Sequence, residues 1–411
     1  MNADRLSALF KQINSISDDS MGAGINRLAY SAHDKKAREV FKQECENAGL
    51  LVRQDAVGNI FARRSGACDG LPAVLFGSHL DTVINGGEFD GTLGVLAGLE
   101  VIRSLNDEGI ITRRPLELVV FACEESSRFN VSTLGSKVLT KKLNKDKFVK
   151  LRDYKDMSIC DIFSEFGLDA FRACDASEDF SVPHCFFELH IEQGPVLEKE
   201  GLDVGVVSAI SAPFRFCLEI TGAGAHSGTT AMKYRQDALC AGAEMVLLIE
   251  HVAKDMADCG VVATVGDCRV HPGVMNVVPG CVKLLVDLRG ISLKSRQEAY
   301  ERIINLCVQV ASERGVKCVS KELSSDDPVS LDDGMIDLIC KNAKSLGLSH
   351  KVMPSGAGHD SMHMADICKT GMIFVPSRSG ISHNPAEYTD LSYICAGTRL
   401  LRSVVLEAAN E

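Results

Sequence analysis

"PAVLFGSHLDTVINGGEFDGTLGVLAGLEVIRSLND" (residues 72–107) decides the architecture. It opens on a short apolar run after Pro72, the length and character of a fully buried strand. It closes on apolar residues at three- and four-residue spacing, the stripe of a core-facing helix. Between them His79, Asp81 and Asp90 stand among Gly86, Gly87 and Gly91. A strand end reaching solvent accounts for one or two charges, but not for this many around paired glycines. A buried strand that runs through such a loop into a helix is the unit of an α/β sheet, where ligands bind at the carboxyl ends of strands.

The pattern recurs outward from this stretch. "RRPLELVVFACEE" (113–125) and "PHCFFELHIEQG" (183–194) are apolar strands ending in Glu124 and Glu125 and in His190. "GMIFVPS" (371–377) precedes "GISHNPAEY", which carries His383. Residues 4–17, 34–48, 332–346 and 390–409 read as helices, and "LLVRQDAVGNIFARRSG" as two short strands about a Gly-Asn turn. Near residue 210 the style changes: the segments from "RFCLEITGAG" to "KCVSKEL" read β-α-β-β-α-β, one sheet with two helices. The fold class expected is α/β: a catalytic domain (1–210 and 328–411) with a mixed sheet flanked by helices, plus an inserted, ferredoxin-like α+β domain (211–327).

Composition sets bounds. The chain has 411 residues, 45% hydrophobic and 24% charged, an ordinary globular mixture. Net charge is −11 and no basic block stands out, so nucleic acid is not an expected partner. The amphipathic start, with Asp4 inside it, does not resemble a signal peptide, and no apolar run reaches membrane-spanning length. The 16 cysteines form no C-x-x-C pair and often sit in apolar runs, as expected of reduced thiols in a cytoplasmic protein.

The strand ends carry the chemistry. His79 and Asp81 form an H-x-D pair in which the acid, two residues on along an extended chain, would orient the imidazole. Asp90 follows eleven positions after His79, across a glycine-rich loop that lets the backbone fold back. With Glu124, Glu125, His190 and His383, these are the imidazole and carboxylate groups of a two-metal hydrolase. Each residue taken singly is more often surface or satisfied core; their coincidence at strand ends is what points to one site.

"GSHLDTVINGGEFDGTLGVLAGLEV", "ACEESSRF", "ELHIEQGPVLE", "GAGAHSGTTAMKYRQDAL", "VMNVVPG", "VDLR", "SGAGHDSMHMA" and "GISHNPAEYT" occur in that order. Together they resemble the N-carbamoyl-L-amino acid hydrolase and allantoate amidohydrolase group of the dinuclear zinc aminoacylase and carboxypeptidase family. The likeness runs from "GINRLAYS" to the last helix. It implies two divalent metal ions per subunit, zinc first, with manganese or cobalt also suited to the ligands. His79 and His190 would hold one ion, Glu125 and His383 the other, and Asp90 both. Glu124 matches the general base. The inserted domain resembles a lid and dimerisation domain, in which His226 would reach the partner subunit's site and stabilise the oxyanion. Gln193, Asn276 and Arg289 match substrate-holding groups; Arg289 would be the carboxylate anchor, with backbone N–H groups from Gly356 and Ala357 in "SGAGHD" beside it.

The implied activity is hydrolysis of a linear C–N bond in a ureido or amide acid by a homodimer, with an N-carbamoyl-L-amino acid as the first choice of substrate. "SAPFRF" departs from the allantoate pattern, since Pro213 and Phe214 replace polar side chains, and this favours the carbamoyl amino acid. Allantoate or another ureido acid is the alternative, then an aminoacylase or dipeptidase. Outside enzymes the rival is a binder that kept the fold without catalysis.

Overall fold

The computed structural model describes residues 1–411. In chain order the strands are β1 (Leu51–Gln54), β2 (Ile60–Arg64), β3 (Val74–His79), β4 (Leu116–Phe121), β5 (Cys185–Ile191), β6 (Val204–Ile210), β7 (Ala212–Thr221), β8 (Ala225–His226), β9 (Val261–His271), β10 (Val277–Val278), β11 (Cys281–Gly290), β12 (Lys317–Ser325), β13 (Val329–Ser330), β14 (His350–Ser355) and β15 (Lys369–Val375). The chain divides into a larger unit, Met1–Ser208 with Leu331–Met353 and His359–Glu411, and a smaller one, Ala209–Ser330 with Pro354–Gly358. The last segment, expected with the catalytic part, clusters with the smaller unit. The reason is local: Ser211 N donates to Ser355 O, and Arg289 Nη1 to Gly356 O.

The main sheet runs β1-β2-β4-β3-β5-β15-β6-β13, with β14 also on β6. β4, β3, β5 and β15 are parallel neighbours, and the flanking pairs are antiparallel. The central strands are apolar throughout because both faces are covered. Val74 and Phe76 of β3 enter a core with helices Ala3–Asn14, Thr92–Asp107, Asp333–Ser345 and Leu391–Asn410, while Leu75 between them enters a second core with Leu134, Ile159 and Phe163. The helix Thr92–Asp107 buries Leu93, Leu96, Leu99, Val101 and Ile102 completely, each contributing roughly 1.5–3 kcal/mol. Mutating any of these to alanine would loosen the element that follows the Asp90 loop. No helix is long and apolar enough to cross a membrane.

In the smaller unit four antiparallel strands lie in the order β12-β7-β11-β9, and β8 pairs with β10. Helices Ala238–Asp255 and Leu293–Glu313 start at Asp237 and Ser292, whose side chains accept N–H groups of the first turn. Strand alternation puts Phe216, Leu218 and Ile220 of β7 and Val282, Leu284, Val286 and Leu288 of β11 against these helices. Phe214 shares their parity. Its ring packs on Tyr300 (4.9 Å) and Phe216 (5.7 Å), so it turns from the face that carries Asp287 and Arg289. Phe214 is therefore a core-side residue, and contrary to expectation its side chain gives no reason to prefer a carbamoyl amino acid over allantoate.

Candidate dinuclear metal centre

Four parallel strands deliver the site. His79 ends β3, His190 is the penultimate residue of β5, Glu124 and Glu125 follow β4, and His383 follows β15. Asp90 comes from the loop between β3 and the helix Thr92–Asp107, at whose N-terminus Gly91 takes φ +63° and ψ −47°. Only glycine fits there: a Cβ at Gly91 would lie 2.3 Å from the His79 ring.

The side chains converge in two overlapping groups of three, His79, Asp90 and His190, and Asp90, Glu125 and His383, with ligand atoms within 4.8 Å of one another. Asp90 Oδ1 lies 3.5 Å from His79 Nε2 and 3.2 Å from His190 Nε2; its Oδ2 lies 3.2 Å from His383 Nε2, which is 3.3 Å from Glu125 Oε1. The five residues expected as ligands are thus brought together. Four are buried; the His383 side chain is half exposed.

Hydrogen bonds fix which ring nitrogens face inward. His79 Nδ1 donates to Asp81 O (2.9 Å) and His190 Nδ1 to Ile191 O (3.0 Å). Both rings therefore present an Nε2 lone pair, and His190 Nε2 accepts the Gly91 N–H (3.1 Å). Asp81 does not orient His79 through its carboxylate, which stays 3.9 Å from Nδ1. The chain leaves the strand at His79, so alternation no longer applies two residues on. Instead Asp81 Oδ1 and Oδ2 accept the backbone N–H groups of Glu124 (3.2 Å) and Glu125 (3.0 Å), tying the β3 and β4 ends together. Arg27, fully buried, reinforces the junction by donating to Leu80 O and Thr92 Oγ1.

The electrostatics suit a cation. Burial opposes it, yet the neighbouring imidazoles of His190, His383 and His79 hold the Asp90 carboxyl well below its usual range. Hydrogen bonds to Asp90 and Glu125 push the His383 imidazole up to about 11. Carboxylates that draw a proton so strongly onto an imidazole draw a divalent ion in the same way, and three imidazoles with carboxylate oxygens are the donor set of zinc-type ions. Glu124 stands apart, its Oε2 3.8 Å from His79 Nε2; burial first, then Glu125 and Asp360, raise its carboxyl well above the usual value against the pull of His79.

Gln193, expected at the substrate, has φ +58° and donates from Nε2 to Asp90 Oδ2 (2.6 Å), leaving its buried Oε1 without a partner. Within the smaller unit, His226 Nδ1 accepts the N–H groups of Gly228 (3.1 Å) and Thr229 (3.2 Å), so Nε2 carries the proton on this exposed ring. Asn276, also exposed, accepts the Ser227 N–H on its backbone oxygen. Arg289 is held by Asp287 (3.0 and 3.3 Å) and Gly356 O (2.8 Å), and the Ala357 N–H is engaged by Ser355 Oγ (3.1 Å). Ser382 and Glu387, not expected from the sequence, bond to the Asp90 loop; both stand in "GISHNPAEY", whose signal in the sequence is His383 alone. His359 is a wall of the site, its ring 4.6 Å from that of His190.

Comparison with known proteins gives the chain a family. An N-carbamoyl-L-amino-acid amidohydrolase of Paenarthrobacter aurescens is 38% identical over 403 residues, 98% of this chain and 97% of that protein. A ureidoglycolate hydrolase of Arabidopsis thaliana is 38% identical over 401 residues, 96% and 84% respectively. The crystal structure of a hydantoinase/carbamoylase family amidase from Burkholderia multivorans matches with a TM-score of 0.94 and 34% identity, covering 100% of this chain and 98% of that one. The model of peptidase family M20/M25/M40 matches residues 75–407, from the strand that ends in His79 to the last helix, and the chain belongs to that family.

Proposed function

We propose that this chain is a divalent-metal-dependent amidohydrolase of ureido acids, with N-carbamoyl-L-amino acids as the first substrate class. The observation that carries the reading is the pair of ligand groups sharing Asp90, with Glu124 beside them and outside both. His79, His190 and Asp90 would hold one ion, and Glu125, His383 and Asp90 a second. Such ions polarise a ureido carbonyl and lower the pKa of water toward neutrality.

The protein's own groups do the rest. Glu124, whose carboxyl is raised above its ordinary pKa by burial, takes the water's proton and passes it to the leaving nitrogen. Gln193 Oε1, a buried acceptor with no protein partner, matches a ureido N–H, which an N-acyl group lacks on its far side. Arg289 offers its remaining N–H groups to the substrate carboxylate. His226, a neutral Nε2–H donor, serves the oxyanion of a second subunit's site. Hydrolysis then yields the amino acid, ammonia and carbon dioxide.

A second copy of the chain is the partner assigned. Supporting it, β9 ends its sheet with a free edge, and Leu247 of the helix Ala238–Asp255 and Val262 of β9 itself are 67% and 61% exposed. Sixteen free cysteines support a cytoplasmic location.

The test is ammonia release by metal-loaded protein from N-carbamoyl amino acids, allantoate, ureidoglycolate, N-acetyl amino acids and dipeptides. Ammonia from one or more ureido acids supports the reading; cleavage confined to acyl amino acids or dipeptides refutes it. Allantoate stays in the panel because Phe214, packed on Tyr300, does not argue against it.

A further inference from the structure

Glu387 belongs to neither ligand group, yet only 4% of it is exposed. A carboxylate withdrawn from water needs donors, and each of its donors leads to a candidate ligand. Oε1 accepts the N–H of Phe89 (2.9 Å) and of Asp90 itself (3.1 Å), nearly 300 residues away in sequence. Oε2 accepts from Ser382 Oγ (2.7 Å), the residue before His383, and the same hydroxyl lies 2.9 Å from Asp90 Oδ2. The loop is shaped to admit it: a Cβ at Gly87 would fall 2.2 Å from the Glu387 carboxyl carbon.

The two ligand groups differ in how they are held. His79 and His190 sit on strands of the central sheet, each with Nδ1 on a backbone carbonyl. Asp90 and His383 sit on loops, and His383 takes φ +54°. We infer that Glu387 is a positioning residue that sets the Asp90–His383 half of the metal centre by clamping the Asp90 backbone and Ser382 together. The inference rests on the two-ion reading above and assigns Glu387 no contact with ion or substrate.

The test is cobalt(II) binding to apo-protein, read by equilibrium dialysis and visible absorption. Wild type should bind about two equivalents. Glu387→Ala should keep one tight equivalent, bind the second about 10–100-fold more weakly, as loss of an outer-shell partner does, and change the spectrum. Glu387→Gln should resemble wild type, because an amide oxygen accepts the same N–H groups and its NH₂ donates to Ser382. Glu387→Asp, one methylene too short, should resemble Glu387→Ala. Gly87→Ala, which removes no polar group, should weaken the second ion by displacing Glu387. Wild-type affinity and spectrum in either Glu387→Ala or Glu387→Asp overturn the inference, as does loss in Glu387→Gln equal to that in Glu387→Ala. Should Glu387→Ala fail to fold, the Asp and Gln variants decide. A wild type that binds only one equivalent defeats the two-ion reading itself, a result separate from any variant.

Discussion

Replacing Gly91 by alanine tests the geometry of the first ligand group. The new Cβ would stand 2.3 Å from His79 Cε1 and Nε2 and 2.4 Å from Nδ1. Carbon contacts settle near 3.5–4.0 Å, so the ring must retreat by more than about 1 Å. Metal–nitrogen bonds tolerate roughly 0.2 Å, and a displaced ring no longer serves as a ligand. Backbone strain at φ +63° adds about 1–3 kcal/mol to the cost of folding. Gly109 supplies the control: φ is +64° and no atom lies within 4 Å of its Cβ position. Gly109→Ala should lose about 1–2 kcal/mol of stability and keep its metal and turnover. Gly91→Ala should lose comparable stability as apo-protein, and in addition bind metal at least about 10–100-fold more weakly, with activity falling in step. Thermal melts with and without metal, metal analysis after dialysis, and ammonia release separate the two effects. Full metal content and turnover in Gly91→Ala would refute the placement of His79.

Glu124→Gln keeps size and shape but removes the base, so metal content should persist while turnover falls roughly 10²-fold or more; loss of metal would show that Glu124 and Glu125 have exchanged roles. His226→Ala should lower turnover by about 10²–10³-fold, and mixing it with Glu124→Gln should restore part of it, because a hybrid dimer holds one site with both groups. Unrestored activity in a verified hybrid would place His226 outside the partner's site. The pH dependence of stability should carry the mark of His363, which bonds to Thr133 Oγ1 (2.9 Å) and whose pKa burial, with Lys137 and Lys142, lowers to about 3. The unfolded chain takes up this proton near pH 6.5 and the folded chain does not. Stability is therefore complete above 6.5 and is lost as pH falls toward 3, by up to about 1.4 kcal/mol per pH unit. His363→Gln should flatten that slope between pH 6.5 and 5, and an unchanged slope would contradict the assignment.

The three candidate histidines were legible because each follows an apolar run that cannot itself explain a histidine: Val74–Ser78 before His79, Cys185–Leu189 before His190, Lys369–Val375 before the His383 loop. The β-α-β-β-α-β insertion was legible for a similar reason, since its core faces keep a strict period of two. That same period could have placed Phe214 with Phe216 and Leu218 on the helix side. Asp81 was misread because the rule of alternation ends with the strand, and Cys123, at φ +53°, likewise turns the chain before Glu124 and Glu125. The clamps on Asp90 from Gln193, Ser382 and Glu387 could not be read at all. They join residues 103 to 297 positions apart, and no local pattern encodes which hydrogen bond closes such a distance.

The central claim is that a metal centre built on Asp90 hydrolyses a ureido group. Its most direct test is to strip the protein with a chelator, return zinc, manganese or cobalt in measured equivalents, and follow ammonia release from an N-carbamoyl-L-amino acid. The account predicts no release from the stripped protein and recovery that saturates near two equivalents, with Asp90→Asn failing to recover at any of them. Ammonia release at the full rate from the stripped protein, or from Asp90→Asn, would contradict it.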